Sequence, residues 1–227
     1  MQAPNPDRRR SLACGSALAL SRLIPVGLVA GLATNTLQAA PIDEGIDFRV
    51  LAKPVPTAAA GKVEVLEFFW YACPHCYAME PVLKTWQAKL PSDVVFRKVH
   101  VAFRGNVQQQ LFYTLEALMA SAAVHEKAFA AIHLGRKPLV TPAEIFEWAR
   151  SAGLDGARFE KAWASPAVAS NMRRATALMT AHEVEGVPRF TIHGRFVTAP
   201  SMVGGSHQRA MDVVDHLIAK ARPLVRA

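Results

Sequence analysis

With 227 residues, 51% of them hydrophobic, the chain has ample material for a buried core, which excludes disorder as its default state. The net charge of +8 shrinks on inspection, because residues 1–39 hold Arg8, Arg9, Arg10 and Arg22 against Asp7, leaving +5 for the rest. Those remaining basic residues are scattered rather than striped with aromatics, which argues against a nucleic-acid partner.

The first element is a leader. A positive segment, DRRR, precedes the apolar run LIPVGLVAGLA, the polar TNTLQ and the small residues AAP. Such an arrangement reads as a secretory signal peptide over residues 1–39, cleaved at Ala39 or Ala40; a spanning helix needs about 20 apolar residues. Cys14 leaves with it, so the exported chain carries only Cys73 and Cys76. A bridge between residues so close in sequence hardly restrains the unfolded chain, and stability is not its use.

FRVL at 48–51 is a short strand candidate, and VEVLEFFW at 63–70 is a nearly continuous apolar run that suits a central strand covered on both faces. The cysteine motif CPHC ends that strand. YAMEPVLKTWQAKL then reads as a helix, with Met79, Val82, Leu83, Trp86 and Leu90 at three- and four-residue steps and a kink expected at Pro81. DVVFRKVHV at 93–101 is a second buried strand, which completes a βαβ unit with parallel strands. From 106 to 182 the pattern is helical only. Val107, Leu111, Leu115 and Leu118 form one stripe, TPAE at 141–144 offers a capping box, and Ser165-Pro166 starts a further helix. GVPRFTIHG and RFVTAP are two strands joined by a tight turn at His193-Gly194, and an amphipathic helix from Ser206 ends the chain. Neither sheet half buries its faces alone, so one sheet domain interrupted by a helical insertion is the expected organisation. Its parts are a first half over 40–105, the insertion over 106–182 and a second half over 183–227.

Pro74 suits the first helical position, which makes Cys73 the N-cap. A sulfur there meets free N–H groups and the positive end of the helix dipole, so its thiolate is stabilised. His75 adds positive charge or a hydrogen bond, and Cys76, one turn on, is the resolving thiol. A structural zinc site needs four ligands, and neither a second CxxC nor a paired histidine spacing is present, so no metal is expected. Glu67 lies within VLEFF, where both sheet faces should be covered. A carboxyl buried there would titrate high and serve as proton donor or acceptor for Cys76, unless the strand rim exposes it or Lys62 or another cation pairs with it.

VLEFFWYACPHCYAME, with EGVPRF after a helical block, resembles the DsbA family of periplasmic thiol:disulfide oxidases, across essentially the whole chain beyond the leader. Tyr77 and Glu80 fit the family's CYxxE continuation. The resemblance implies an α/β thioredoxin fold interrupted by an all-helical insertion, and a loop at Val187-Pro188 whose cis-proline faces the disulfide and pairs with a bound peptide. It implies a periplasmic enzyme with no cofactor beyond the Cys73–Cys76 disulfide. Its partners would be unfolded or newly exported cysteine-containing proteins and a quinone-linked membrane oxidase similar to DsbB. A monomer is expected, since about 20 residues between leader and first long strand are too few for the N-terminal domain of dimeric isomerases. Thiolate stabilisation favours the reduced form and so makes the disulfide an oxidant: a Cys73 pKa about three units below 7 corresponds to roughly 4 kcal/mol, or about 90 mV. The alternatives are a periplasmic isomerase or reductase, a peptide-binding chaperone that uses the groove at Pro188, and a glutathione transferase, which has no use for Cys76.

Overall fold

A computed structural model describes residues 41–225; the leader, Cys14 and the cleavage site lie outside the described residues. Five strands form one mixed sheet: β1 (Arg49–Val50), β2 (Val63–Phe69), β3 (Val94–His100), β4 (Arg189–Ile192) and β5 (Phe196–Thr198), in the order β1-β5-β4-β2-β3. β2 pairs parallel with β3 and antiparallel with β4, while β5 runs antiparallel to both β4 and β1. All seven residues of β2 are buried, as a central strand with both faces covered requires.

The two faces are covered differently. One face packs on α1 (Pro74–Gln87) and α7 (His207–Val225): Val63, Val65, Phe190 and Ile192 meet Met79, Leu83, Val214 and Leu217. The Trp86 indole N–H, donating to Asp215 at 2.7 Å, ties those helices together. On the other face Leu66, Phe68 and Val99 pack against Ala175 and Leu178 of α6 (Pro166–Ala181). Period-two alternation puts Glu67 on the Val65 side, toward α1.

The helices between the sheet halves are α2 (Val107–Ala117), α3 (Ala122–His133), α4 (Pro142–Ser151), α5 (Gly156–Trp163) and α6. Their starts follow the sequence: Thr141 and Glu144 form the reciprocal capping box of α4, and the Ser165 hydroxyl caps α6. Their apolar stripes meet in a core of Leu111, Phe112, Leu115, Phe129, Trp148 and Phe159. That core also reaches Phe69, Tyr71 and both cysteines, so the inserted helices cover the end of β2.

The β4–β5 turn, closed by Arg195 N–H donating to the Ile192 carbonyl at 3.0 Å, takes positive φ at both central residues, His193 (50°) and Gly194 (59°), the twist that suits right-handed strands. A Cβ on Gly194 would lie 1.8 Å from the Val55 carbonyl oxygen, so only glycine fits.

Candidate active site

The end of β2 leads through Trp70–Ala72 into α1. Cys73 N–H donates to the Trp70 carbonyl at 3.0 Å, which closes the turn. Cys73 keeps an extended backbone (φ −81°, ψ 117°), Pro74 opens the helix, and the Cys73 sulfur accepts from the Cys76 N–H at 3.4 Å. The sulfur therefore fills the N-cap role usually taken by a side-chain oxygen. Cys73 is 6% exposed and Cys76 fully buried, and both are free thiols.

Their titrations diverge. The Cys76 side chain, hydrogen-bonded to the Cys73 sulfur, is the largest influence lowering Cys73 to about 6. Burial opposes the shift, while the backbone N–H groups of Cys76 and His75 and the His75 charge add to it. Cys76 is pushed the other way, first by burial, then by its hydrogen bond to Cys73 and by the Glu67 charge. At neutral pH the first sulfur is mostly thiolate and the second stays a thiol.

Glu67 is buried, and the strand-rim alternative fails. Its cation is Lys98 rather than Lys62: the parallel register sets Glu67 beside Lys98, and Lys98 Nζ lies 3.2 Å from Glu67 Oε2. Neither Glu67 oxygen has a hydrogen-bond partner, and Lys98 is shared with Glu80 through a short ion pair. Burial raises the Glu67 carboxyl to about 7 against the Lys98 charge, with Glu80 adding to the rise. For Lys98 burial works downward, but Glu67 and Glu80 outweigh it and hold the ammonium charged.

The Val187-Pro188 bond is cis, and the Cys73 sulfur lies 3.6 Å from the Val187 carbonyl oxygen, to which it donates only when protonated. A cleft of 380 Å³ opens here between His75, Val187, Pro188, Arg189, Pro200 and His207. Thus Cys73, Pro74, His75, Val187 and Pro188 share one surface, with Cys76 and Glu67 beneath it. On the other side of the motif a cleft of 590 Å³ is lined by Trp70, Ala72, Arg104, Ile132, Arg136 and Val140, among others.

Two groups escaped sequence reasoning. Lys98 is one; pairing VLEFF with FRKVH in parallel register would have found it. The other is a set of histidines read singly as ordinary surface or core residues. Tyr71 N–H donates to His100 Nε2 at 3.2 Å, His133 Nε2 donates to the Tyr71 carbonyl at 2.8 Å, and the Tyr71 hydroxyl lies 2.6 Å from His125 Nδ1. Burial lowers His100 to about 3, which keeps it neutral and able to accept. These histidines come from β3 and α3 and anchor the turn that carries Cys73. Nothing in their sequence spacing signals it. Among the described residues no three His, Cys, Asp or Glu side chains come together as a metal site.

Residues 64–212 match the family described as DSBA-like thioredoxin domain. The thiol:disulfide interchange protein DsbA of Bordetella parapertussis is 42% identical over 74% of this chain and 81% of its own length. The protein of the same name from Azotobacter vinelandii is 40% identical over 94% of this chain and 98% of its own. Among solved structures, Pseudomonas aeruginosa DsbA superposes with a TM-score of 0.77 at 37% identity, covering 82% of this chain and 97% of that one.

Proposed function

The chain belongs to the DsbA family of thioredoxin-fold thiol:disulfide oxidoreductases, and from that premise we propose that it is an exported oxidase donating its Cys73–Cys76 disulfide to newly translocated proteins. The observation that carries the direction is the Cys73 sulfur at the N-cap of α1, held as thiolate near neutrality beside a Cys76 held as thiol. Whatever stabilises that thiolate stabilises the dithiol form, and so drives the disulfide to take electrons.

In the cycle, a client thiolate attacks Cys73 of the disulfide. The bond to Cys76 breaks, and the Cys76 sulfur leaves with the electron pair and takes up a proton. A second client thiolate then attacks the client sulfur of the mixed disulfide, and Cys73 departs as thiolate. The client loses two electrons and the cysteine pair gains two. We assign Glu67 as the donor of the Cys76 proton. Its pKa of about 7 leaves it partly protonated at working pH, and Lys98 and Glu80 connect it toward a cavity of 1010 Å³ that both residues line. His75 favours the Cys73 thiolate, Pro74 sets the helix start, and Val187 with Pro188 seats the client backbone.

The leader over 1–39 supports export to the periplasm, and reoxidation falls to a quinone-linked membrane oxidase similar to DsbB. The sheet halves over 40–105 and 183–227 carry the chemistry, and the insertion over 106–182 shields Cys76. No cofactor beyond the cysteine pair enters the cycle.

The test is stoichiometric. Oxidised protein mixed with a reduced two-cysteine peptide should yield one peptide disulfide per enzyme disulfide consumed, counted by mass after alkylation. An absence of transfer, or preferential reduction of the oxidised peptide by the dithiol enzyme, would overturn the reading.

A further inference from the structure

The basic residues that look scattered in sequence are gathered by the fold on both sides of Cys73. Arg104, from the β3–α2 connection, and Arg136, from the α3–α4 connection, line the cleft that contains Ala72, the residue before Cys73. Arg189 lines the opposite cleft beside Val187 and Pro188, with His75 and His207. No carboxylate lines either cleft. Arg104, Arg136 and Arg189 form no ion pair among the described residues; Arg189 donates only to the Glu183 backbone carbonyl, and its Nε is buried without a partner.

The acids close to these clefts in sequence do not cancel that charge. Glu144 accepts from Val140 N–H at 2.8 Å and Thr141 N–H at 3.3 Å and keeps its negative charge at the edge of the first cleft, one carboxylate against the two arginines Arg104 and Arg136. Glu183 is paired with Arg49 at 2.6 Å. Glu185, exposed two residues before Val187, is left to offset Arg189 in part. The cavity lined by Glu80, Glu116 and Glu126 opens instead between α1, β3 and α3, where each of those carboxylates faces a cation or a histidine.

We propose that this basic face selects its clients, and that the preferred substrates are cysteines flanked on both sides by aspartate or glutamate. The inference rests on the oxidase reading and names its substrate class. Residues on one side of the client cysteine pass over Val187 and Arg189, and those on the other side reach Arg104 and Arg136. Charge complementarity of this kind acts chiefly on association, speeding encounter at low ionic strength and fading as salt screens exposed charges.

Three two-cysteine peptides, identical except for Asp/Glu, Ser or Lys flanks, separate the possibilities. Their oxidation by the full-length oxidised protein is followed by stopped-flow fluorescence at low and high salt. The acidic peptide should react about tenfold faster than the lysine peptide at low salt, and the ratio should shrink toward one as salt rises. In R104E/R136E the ratio should invert, and in R104Q/R136Q it should fall between the two. A ratio of one in the unmodified protein overturns the inference, as does a ratio unmoved by either variant. If the ratio is one and the protein instead binds vesicles of anionic phospholipid, the charge serves a membrane rather than a client. If the Ser peptide is not oxidised at all, the oxidase reading itself fails, and the client preference fails with it.

Discussion

The two ends of the first turn of α1 carry the same side chain in opposite environments. At its start, Cys73 is lowered to about 6, first by the hydrogen bond from the Cys76 side chain and then by the backbone N–H groups of Cys76 and His75 and the His75 charge. One turn on, Cys76 is fully buried above a carboxyl that itself titrates near 7, and its thiol is pushed far up. Identical chemistry thus becomes a leaving group and a resolving thiol through position and through the hydrogen bond between the two: a helix end exposes donors, a helix interior hides them, and the buried thiol donates to the exposed sulfur. A stable pair of equal thiols would share charge and protons. This pair divides them.

The largest effect should come from removing the first end. Cys73→Ala should abolish peptide oxidation, counted as peptide disulfides formed, and a peptide-binding chaperone would keep its activity through the same change. Removing the second end should stop turnover at a different point. In Cys76→Ala no enzyme disulfide forms, so catalysis should be lost. Given a disulfide-activated peptide, the Cys73 thiolate should displace the activating thiol and keep the peptide as a mixed disulfide, visible by mass as an enzyme–peptide adduct. If no adduct forms, Cys73 is not the sulfur that carries the client.

Glu67→Gln should act mainly at the buried end. Stripping the proton donor should slow the step that releases Cys76 by roughly a hundredfold or more, with a far smaller change in Cys73 alkylation. Stability gives a second readout. A carboxyl whose folded pKa is raised to about 7 contributes stability below its unfolded value of about 4, and that contribution is lost as pH rises through 7. The unmodified protein should therefore lose stability between about pH 4 and 7 relative to the Gln variant, measured by denaturant titration at each pH. Equal pH profiles would mean that Glu67 does not hold a raised pKa in the folded protein.

At the exposed end, alkylation of reduced Cys73 should follow its thiolate. The rate should be near its plateau above pH 7 and fall about tenfold per unit below about pH 6. A midpoint near the ordinary cysteine value would erase the difference between the two ends. The smallest effect lies away from both. Thr141→Ala removes the α4 cap and should cost about 1 kcal/mol of unfolding free energy without moving the Cys73 titration.

Most of the fold was readable because its elements carry local signals. The buried run of β2, the Pro74 helix start, the Thr141 capping box and the His193-Gly194 turn each need only neighbouring residues. α3 was not separable within the helical stretch, because SAAVHEKAFAAIH is alanine-rich and lacks a sharp apolar stripe; its Ser121 cap makes no side-chain hydrogen bond. α1 begins at Pro74, where the proline placed it, and continues past Pro81 to end at Gln87, short of the Leu90 that the apolar spacing included.

Within the site the same division holds. Cys73, Pro74, His75 and Cys76 are contiguous, and their arrangement follows from one helix N-terminus. Glu67 could be read as buried because its strand is apolar, but its partner could not, since Lys98 is brought beside it by strand register. The anchoring of Tyr71 by His100, His125 and His133, and the gathering of Arg104, Arg136 and Arg189 around Cys73, depend on how the insertion sits on the sheet. Sequence spacing is blind to that.

The equilibrium redox potential of the Cys73–Cys76 pair, measured against glutathione, tests the division between the two sulfurs most directly. A thiolate stabilised at the helix start predicts a potential well above the reductive thioredoxin value of about −270 mV, so that glutathione readily reduces the pair. A potential at or below about −270 mV would mean that the disulfide is the favoured form, and that electrons leave this protein rather than enter it.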